Sequence, residues 1–282
     1  MKYLVAIGET NKSEFEFGEF IHLATAILVY PKLRYIFVGD LENPLHLGCY
    51  NFITKFKKPS VLFNYEKYSK KGKNFPIGKT ADIFKEFYKE LIHDKFNDII
   101  NENSSSLNEI NEYIQKLKLD KKNKYAFIWI RNGMYQPNRN ITKEGVIQLN
   151  DQLAKQKIIP ILIGSDLDTG LTNIPNLQSY FLNPLFKNNI FNQLILLREL
   201  INQYHIKFSI GLKSGGMDAP TLVFRLPCIY FGEKNRNRRM DKVGATIKQF
   251  KFIPFQNQNS KEFISFTEQE LKTTRKIVRE IK

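Results

Sequence analysis

The segment HIKFSIGLKSGGMDAPTLVFRLPCIYF, residues 205–231, decides the fold. Its opening, residues 205–210, is a short apolar run that predicts a buried strand. Residues 211–216 form a glycine-bearing loop, and from about Met217 to Phe224 the apolar residues recur at helical spacing. Residues 227–231 are a second apolar run, again strand-like. Strand, glycine loop, helix and strand make the unit of a parallel sheet, because parallel neighbours need a crossover connection and a helix supplies it.

The same rhythm continues outward in both directions. Upstream lie a strand at 125–130, a helix at about 142–156, a strand at 158–163 and a striped apolar helix at 189–204. Downstream, residues 251–254 suit a further strand, and 267–282 an amphipathic terminal helix. The first third alternates too, with strands at 3–7, 34–38 and 60–64 and helices at 17–30 and 45–56. A helix at about 80–100, the polar stretch Asn101–Ser106 (NENSSS) and a helix at 107–117 connect the halves. The expected fold class is therefore α/β, with two Rossmann-like βαβ lobes: 1–118, then 119–266, followed by a terminal helix at 267–282.

Composition sets the outer bounds. At 282 residues, 42% hydrophobic and 25% charged, the chain has the makeup of a folded protein with room for two lobes. Lys and Arg number 43 against 28 Asp and Glu, a net charge of +15. Such a field concentrates anionic partners, namely nucleotides, nucleic acid, acidic glycans or an anionic membrane surface. Solvated lysines on helix faces account for the charge equally well. Cys49 and Cys228 are the only cysteines, and their apolar surroundings predict two buried free thiols and a reducing compartment. The apolar start stops at Gly8 and Glu9, too short for a signal peptide. The expectation is a cytoplasmic protein, with peripheral contact to the inner face of a membrane left open.

In a doubly wound sheet, ligands bind beyond the carboxyl ends of the strands. Three loops of the second lobe fall there. Arg131, Asn132 and Gly133 open the first, which also carries Arg139. An arginine directly after a buried strand suits a phosphate oxygen, which a guanidinium holds with two parallel hydrogen bonds; an ordinary exposed loop arginine is the alternative. Gly164, Ser165 and Asp166 make the second, a turn where Asp166 either accepts from sugar hydroxyls or merely caps the next segment. Lys213, Ser214, Gly215, Gly216, Met217 and Asp218 make the third. Paired glycines ahead of a helix let backbone N–H groups converge on an anion, and the helix dipole favours it; a glycine turn feeding a capped helix is the alternative. After the next strand, Glu233, Arg236, Arg238 and Arg239 suit a diphosphate or an acidic acceptor, or else form an exposed basic loop.

On these residues the chain resembles the donor-binding lobe of GT-B glycosyltransferases, and more loosely the non-hydrolysing sugar-nucleotide 2-epimerases. The resemblance covers 125–232, carried by the strand and loop at Arg131, the run 158–166 and the strand–SGG–helix–strand unit. It implies two lobes facing across a cleft, with a nucleotide-sugar donor in the second lobe and an acceptor in the first, and a terminal helix, 267–282, that can cross back to the first lobe. It also implies a hexosyl-type transfer with no obligatory cofactor or metal. The epimerases carry acidic residues just after SGG; here Asp218 is the only one, which favours transfer. Arg131, Lys213 and the glycine amides would then stabilise the departing diphosphate. A base for the acceptor hydroxyl is sought among Glu9, Asp40 and Glu42 at strand ends of the first lobe, where Asp40 and Glu42 suit helix capping as well.

Other signals fail on spacing. Gly78-Lys79-Thr80 lacks the upstream glycine of a phosphate-binding P-loop, since Lys73 stands there. Four scattered histidines and two distant cysteines give no zinc pattern. The acceptor is left among a glycan, a lipid-linked glycan and a modified DNA base. A DNA-binding protein without catalysis is the alternative of a different class.

Overall fold

Strand β4 (Lys124–Ile130) shows how the second sheet is built. Tyr125, Phe127 and Trp129 enter one apolar core, while Ala126, Ile128 and Ile130 enter another. Successive side chains of a strand point to opposite faces, so a strand apolar throughout must be covered on both. In this computed structural model the described residues are 3–7, 17–32, 34–38, 41–58, 61–63, 90–133, 139–212, 214–233, 248–255 and 263–281.

Among them, a three-stranded parallel sheet comprises β1 (Tyr3–Ile7), β2 (Arg34–Val38) and β3 (Val61–Phe63), in that order. Helices α1 (Phe17–Val29) and α2 (Pro44–Phe56) connect them. After α3 (Glu90–Glu102) and α4 (Leu107–Gln115), the second sheet begins with β4. Next come α5 (Lys143–Ala154), β5 (Ile158–Gly164), β6 (Asn176–Gln178), α6 (Ile190–Gln203) and β7 (His205–Leu212). The described chain finishes with α7 (Gly215–Phe224), β8 (Cys228–Gly232), β9 (Phe250–Pro254) and α8 (Glu268–Ile281). All six strands of this sheet run parallel, in the order β6-β5-β4-β7-β8-β9.

The α/β architecture with parallel βαβ units is the one expected, and three local details differ. β6 lies in what reads as a polar loop: Asn176, Leu177 and Gln178 alternate only briefly, too short a run for periodicity to register. Helix α7 starts at Gly215, so both glycines belong to its first turn and not to the loop. The linker-like stretch after α3 is a tight turn, in which Asn103 Nδ2 and Ser104 Oγ donate to the carbonyls of Ile99 and Ile100, each at 2.8 Å.

One face of the second sheet carries α5 and α8, through Val146, Leu149, Leu153, Leu271 and Val278. The terminal helix, expected as a return to the first lobe, thus sets its buried residues into this layer. The other face carries α6 and α7, and behind them the helices of the first unit join the same core. Phe52 of α2 packs tilted against Phe191 of α6 with ring centroids 4.9 Å apart, and Phe56 against Phe96 of α3 at 4.8 Å. Fully burying side chains of this size stabilises by about 1.5–3 kcal/mol each. Gln203 Nε2 donates to Asn111 Oδ1 at 2.7 Å, tying α4 to α6. Cys49 and Cys228 are both free and buried, as their surroundings predict.

His93 of α3 is buried at 7% exposure, and its ring faces Asp94, Asn97, Arg225 and the Val223 carbonyl at the end of α7. Burial, and then the charge of Arg225, hold its pKa below the usual histidine value. The unfolded chain therefore takes up this proton first, and the stability is full above about pH 6.5 and lost as pH falls through the folded value. Between about pH 7.5 and about pH 5.5 the thermal midpoint should fall, and His93→Gln should flatten that fall; equal slopes in the two proteins would remove His93 from the account.

Candidate functional site

The strand order reverses between β4 and β7: from β4 the chain proceeds outward through β5 and β6, and from β7 outward through β8 and β9. At such a switch the flanking connections leave in opposite directions and open a crevice at the carboxyl ends of the strands. Arg131 follows β4 and Ser214 follows β7, so the two best sequence candidates border this crevice.

The β4 loop is held by a side chain that sequence reasoning passed over. Asn140 Oδ1 accepts from Arg131 Nη1 at 2.5 Å and from the Gly133 amide at 3.0 Å, and Asn140 Nδ2 donates to the Gly133 carbonyl at 2.8 Å. The Ile141 amide donates to the Arg131 carbonyl at 3.1 Å, closing the base of the loop. Arg131 is thereby oriented, with a guanidinium that is partly engaged before any ligand arrives. Nothing local marks Asn140 in the sequence, since its partners are the two ends of a loop. Arg139 is half-buried beside it.

The β5 loop is joined to this one. The Ser165 amide donates to the Ile130 carbonyl at 2.9 Å, and Asn132 Nδ2 to the Asp166 carbonyl at 3.1 Å. Gly164 has φ +106°, and a Cβ there would stand 2.2 Å from the Ile130 carbonyl oxygen. Both conditions require glycine. Asp166 is exposed, and Ser165 half-buried.

At the β7 loop, Ser214 is the N-cap of α7 with extended backbone, and its hydroxyl makes no capping bond. It is 7% exposed, and among the described residues its Oγ has no hydrogen-bond partner. A buried hydroxyl without a partner carries a desolvation penalty of about 1–3 kcal/mol, and structures rarely leave one so. Gly216 has a packing role: a Cβ there would lie 2.1 Å from Trp129 Cζ2. Met217 is 1% exposed and belongs to the core. Asp218 is 6% exposed and turned towards β8, where, after burial itself, its charge helps push the Cys228 thiol up to about 12.

Among the other sequence candidates, Glu42 is exposed just ahead of α2, and Glu233 is half-buried after β8. Glu9, Asp40, Lys213, Arg236, Arg238 and Arg239 lie outside the described residues. Among the described residues no group of three or more His, Cys, Asp or Glu is placed to hold a metal ion. No described helix is long and apolar enough to cross a membrane.

No protein-family model and no curated protein matches the chain. Solved structures do. The chain is similar to E. coli ADP-heptose LPS heptosyltransferase II at 10% identity and a TM-score of 0.53, over 99% of this chain and 98% of that one. It is also similar to a glycosyl transferase family 9 protein from Veillonella parvula DSM 2008, at 12% identity and a TM-score of 0.46, over 99% and 97%. The likeness to the E. coli structure runs through both units and shows the two-unit α/β fold that the GT-B resemblance implies.

Two substitutions test the local geometry. Asn140→Ala should cost about 1–3 kcal/mol in urea unfolding, by leaving Arg131 and the Gly133 backbone without their shared partner. Gly216→Ala should cost a similar amount, about 1–3 kcal/mol, because the new methyl overlaps the indole ring. Wild-type stability in either variant would contradict the corresponding contact.

Proposed function

We propose that the chain is a glycosyltransferase that binds a nucleotide-activated sugar in the crevice between β4 and β7 and moves the sugar to an acceptor hydroxyl. The observation that carries this reading is the buried, unpartnered Ser214 hydroxyl at the N-terminus of α7. An anionic oxygen there would satisfy the hydroxyl, meet the free amides of the first helical turn and lie at the positive end of the helix dipole. A solved structure that shares the fold is named an ADP-heptose LPS heptosyltransferase, which supports a donor of this class.

In the proposed mechanism the diphosphate becomes the leaving group, and its developing charge is met by fixed dipoles and cations. Arg131, held by Asn140, would face it from the β4 side, and Ser214 with the amides of Gly215 and Gly216 from the β7 side; Lys213 is a further candidate cation by its place in the sequence. Asn132, Gly164, Ser165 and Asp166 would border the sugar or ribose. Arg139, Glu233, Arg236, Arg238 and Arg239 would serve the diphosphate or an anionic acceptor. The acceptor hydroxyl needs a base, for which the first unit offers Glu9, Asp40 and Glu42. The net charge of +15 suits an acidic glycan, a lipid-linked glycan at an anionic membrane, or a base in DNA. Transfer is favoured over epimerisation because Asp218 alone follows the glycine pair, and its carboxylate is buried. No metal or other cofactor is part of the proposal.

A thermal-shift series with nucleotide sugars tests the donor site. A donor present at about a hundredfold excess over Kd stabilises by about 2.7 kcal/mol, which raises the midpoint by about 5 °C in a chain of this size. Arg131→Ala and Gly215→Val should abolish that rise without unfolding the protein. Steeply salt-dependent DNA binding with no response to any donor would instead support a DNA-binding protein without catalysis.

A further inference from the structure

We propose that Trp129 is a ligand-binding residue, whose indole N–H donates to the same anionic oxygen that the Ser214 hydroxyl and the α7 amides receive. This inference rests on the donor site proposed above and adds a residue that no strand-end or glycine motif marks.

Trp129 stands one residue before the end of β4, and its register partner across the switch is Gly211 of β7. Its side chain therefore lies at the crevice itself, on the face covered by α7. A Cβ on Gly211 would come within 3.4 Å of Trp129 Cβ and 3.3 Å of Met217 Sδ, so the bare glycine leaves room for both large side chains. The orientation of the ring is set by Gly216. The three atoms nearest to a Cβ built on that glycine are Cζ2 at 2.1 Å, Cε2 at 2.5 Å and Nε1 at 2.8 Å. These atoms form the edge of the indole that carries the N–H, and that edge abuts the first turn of α7.

Trp129 is 7% exposed as a residue, and its Nε1 is not among the fully buried polar atoms. An indole N–H that no described residue holds and that solvent reaches is open to a ligand acceptor. Ser214, two residues before Gly216, is 7% exposed as well and has no partner for its Oγ. One buried hydroxyl without a partner among the described residues and one indole edge thus meet at the N-terminus of a ten-residue helix. A single anionic oxygen answers both, because each group can donate to it. The indole also serves as a hard floor, so the oxygen is held by groups that need no rearrangement when charge develops.

Trp129 is the chain's single tryptophan, so its emission reports this site alone. The probes are inorganic pyrophosphate, ADP and UDP, titrated into the whole protein with calorimetry and indole fluorescence in parallel. The expected result is a shift in Trp129 emission that saturates with the calorimetric Kd. In Trp129→Phe the diphosphate Kd should weaken by roughly tenfold or more, the effect of one hydrogen bond to a charged oxygen, in a protein that still unfolds in one cooperative transition at a lowered thermal midpoint. If Trp129→Phe does not fold, benzothienylalanine in place of the tryptophan keeps the bicyclic shape and lacks the N–H, and the same weakening is expected. An unchanged Kd in either folded variant overturns the inference and leaves the donor site standing. Failure of the wild type to bind any of the probes or any nucleotide sugar overturns the donor site, and this inference with it.

Discussion

The close approach of α7 to β4 is the constraint on which the crevice depends. Gly216 lies so near the Trp129 ring that any side chain would overlap it. That contact sets the height and tilt of the helix N-terminus over the sheet. Ser214 precedes it at the cap position with its hydroxyl buried, and Arg131 follows Trp129 by two residues on the facing strand. The glycine pair has the composition of a phosphate loop, yet one of its members is required by packing. Both demands are compatible, because a helix whose first two residues are glycines can rest on a ring and still present amides at its end.

Sheet order supplies the second condition. With β4 and β7 as neighbours and their connections leaving in opposite directions, loops that are far apart in the chain are brought to one edge. The β4 and β5 loops are then fastened to each other by the Ser165 and Asn132 hydrogen bonds, and the β4 loop to itself by Asn140. Pre-formed loops of this kind lose little entropy on binding and suit a site that must stabilise charge.

The first unit is attached by an apolar seam. Phe52, Phe56 and Phe96 interleave with Phe191, and α1 packs on α7, the helix that begins at the crevice. His93 adds a polar contact at the other end of that helix, beside Arg225. The core of the first unit thus runs into one face of the second sheet, and the helices that read as a connector, α3 and α4, belong to the seam.

Most secondary structure was legible in the sequence, because the alternation of a strand and the stripe of a helix are local properties of neighbouring residues. The strand limits at 3–7 and 34–38, the apolar helix read at 189–204 and found at Ile190–Gln203, and the parallel βαβ rhythm all follow from such patterns. So does the presence of glycine, serine and arginine at strand ends. β6 escaped because three residues carry too little pattern, and the layer that α8 covers was not legible because an amphipathic stripe states that a helix is covered, not by what. Only the tertiary structure decided that Gly216 answers to Trp129, that Asn140 clamps Arg131, that Asp218 turns towards Cys228, and that Ser214 is left unpaired. The anionic grip of the second unit, visible in sequence as residue types in three loops, becomes in the fold a particular set of unsatisfied donors. Burial and hydrogen-bond satisfaction are relations between segments distant in the chain, and no local pattern records them.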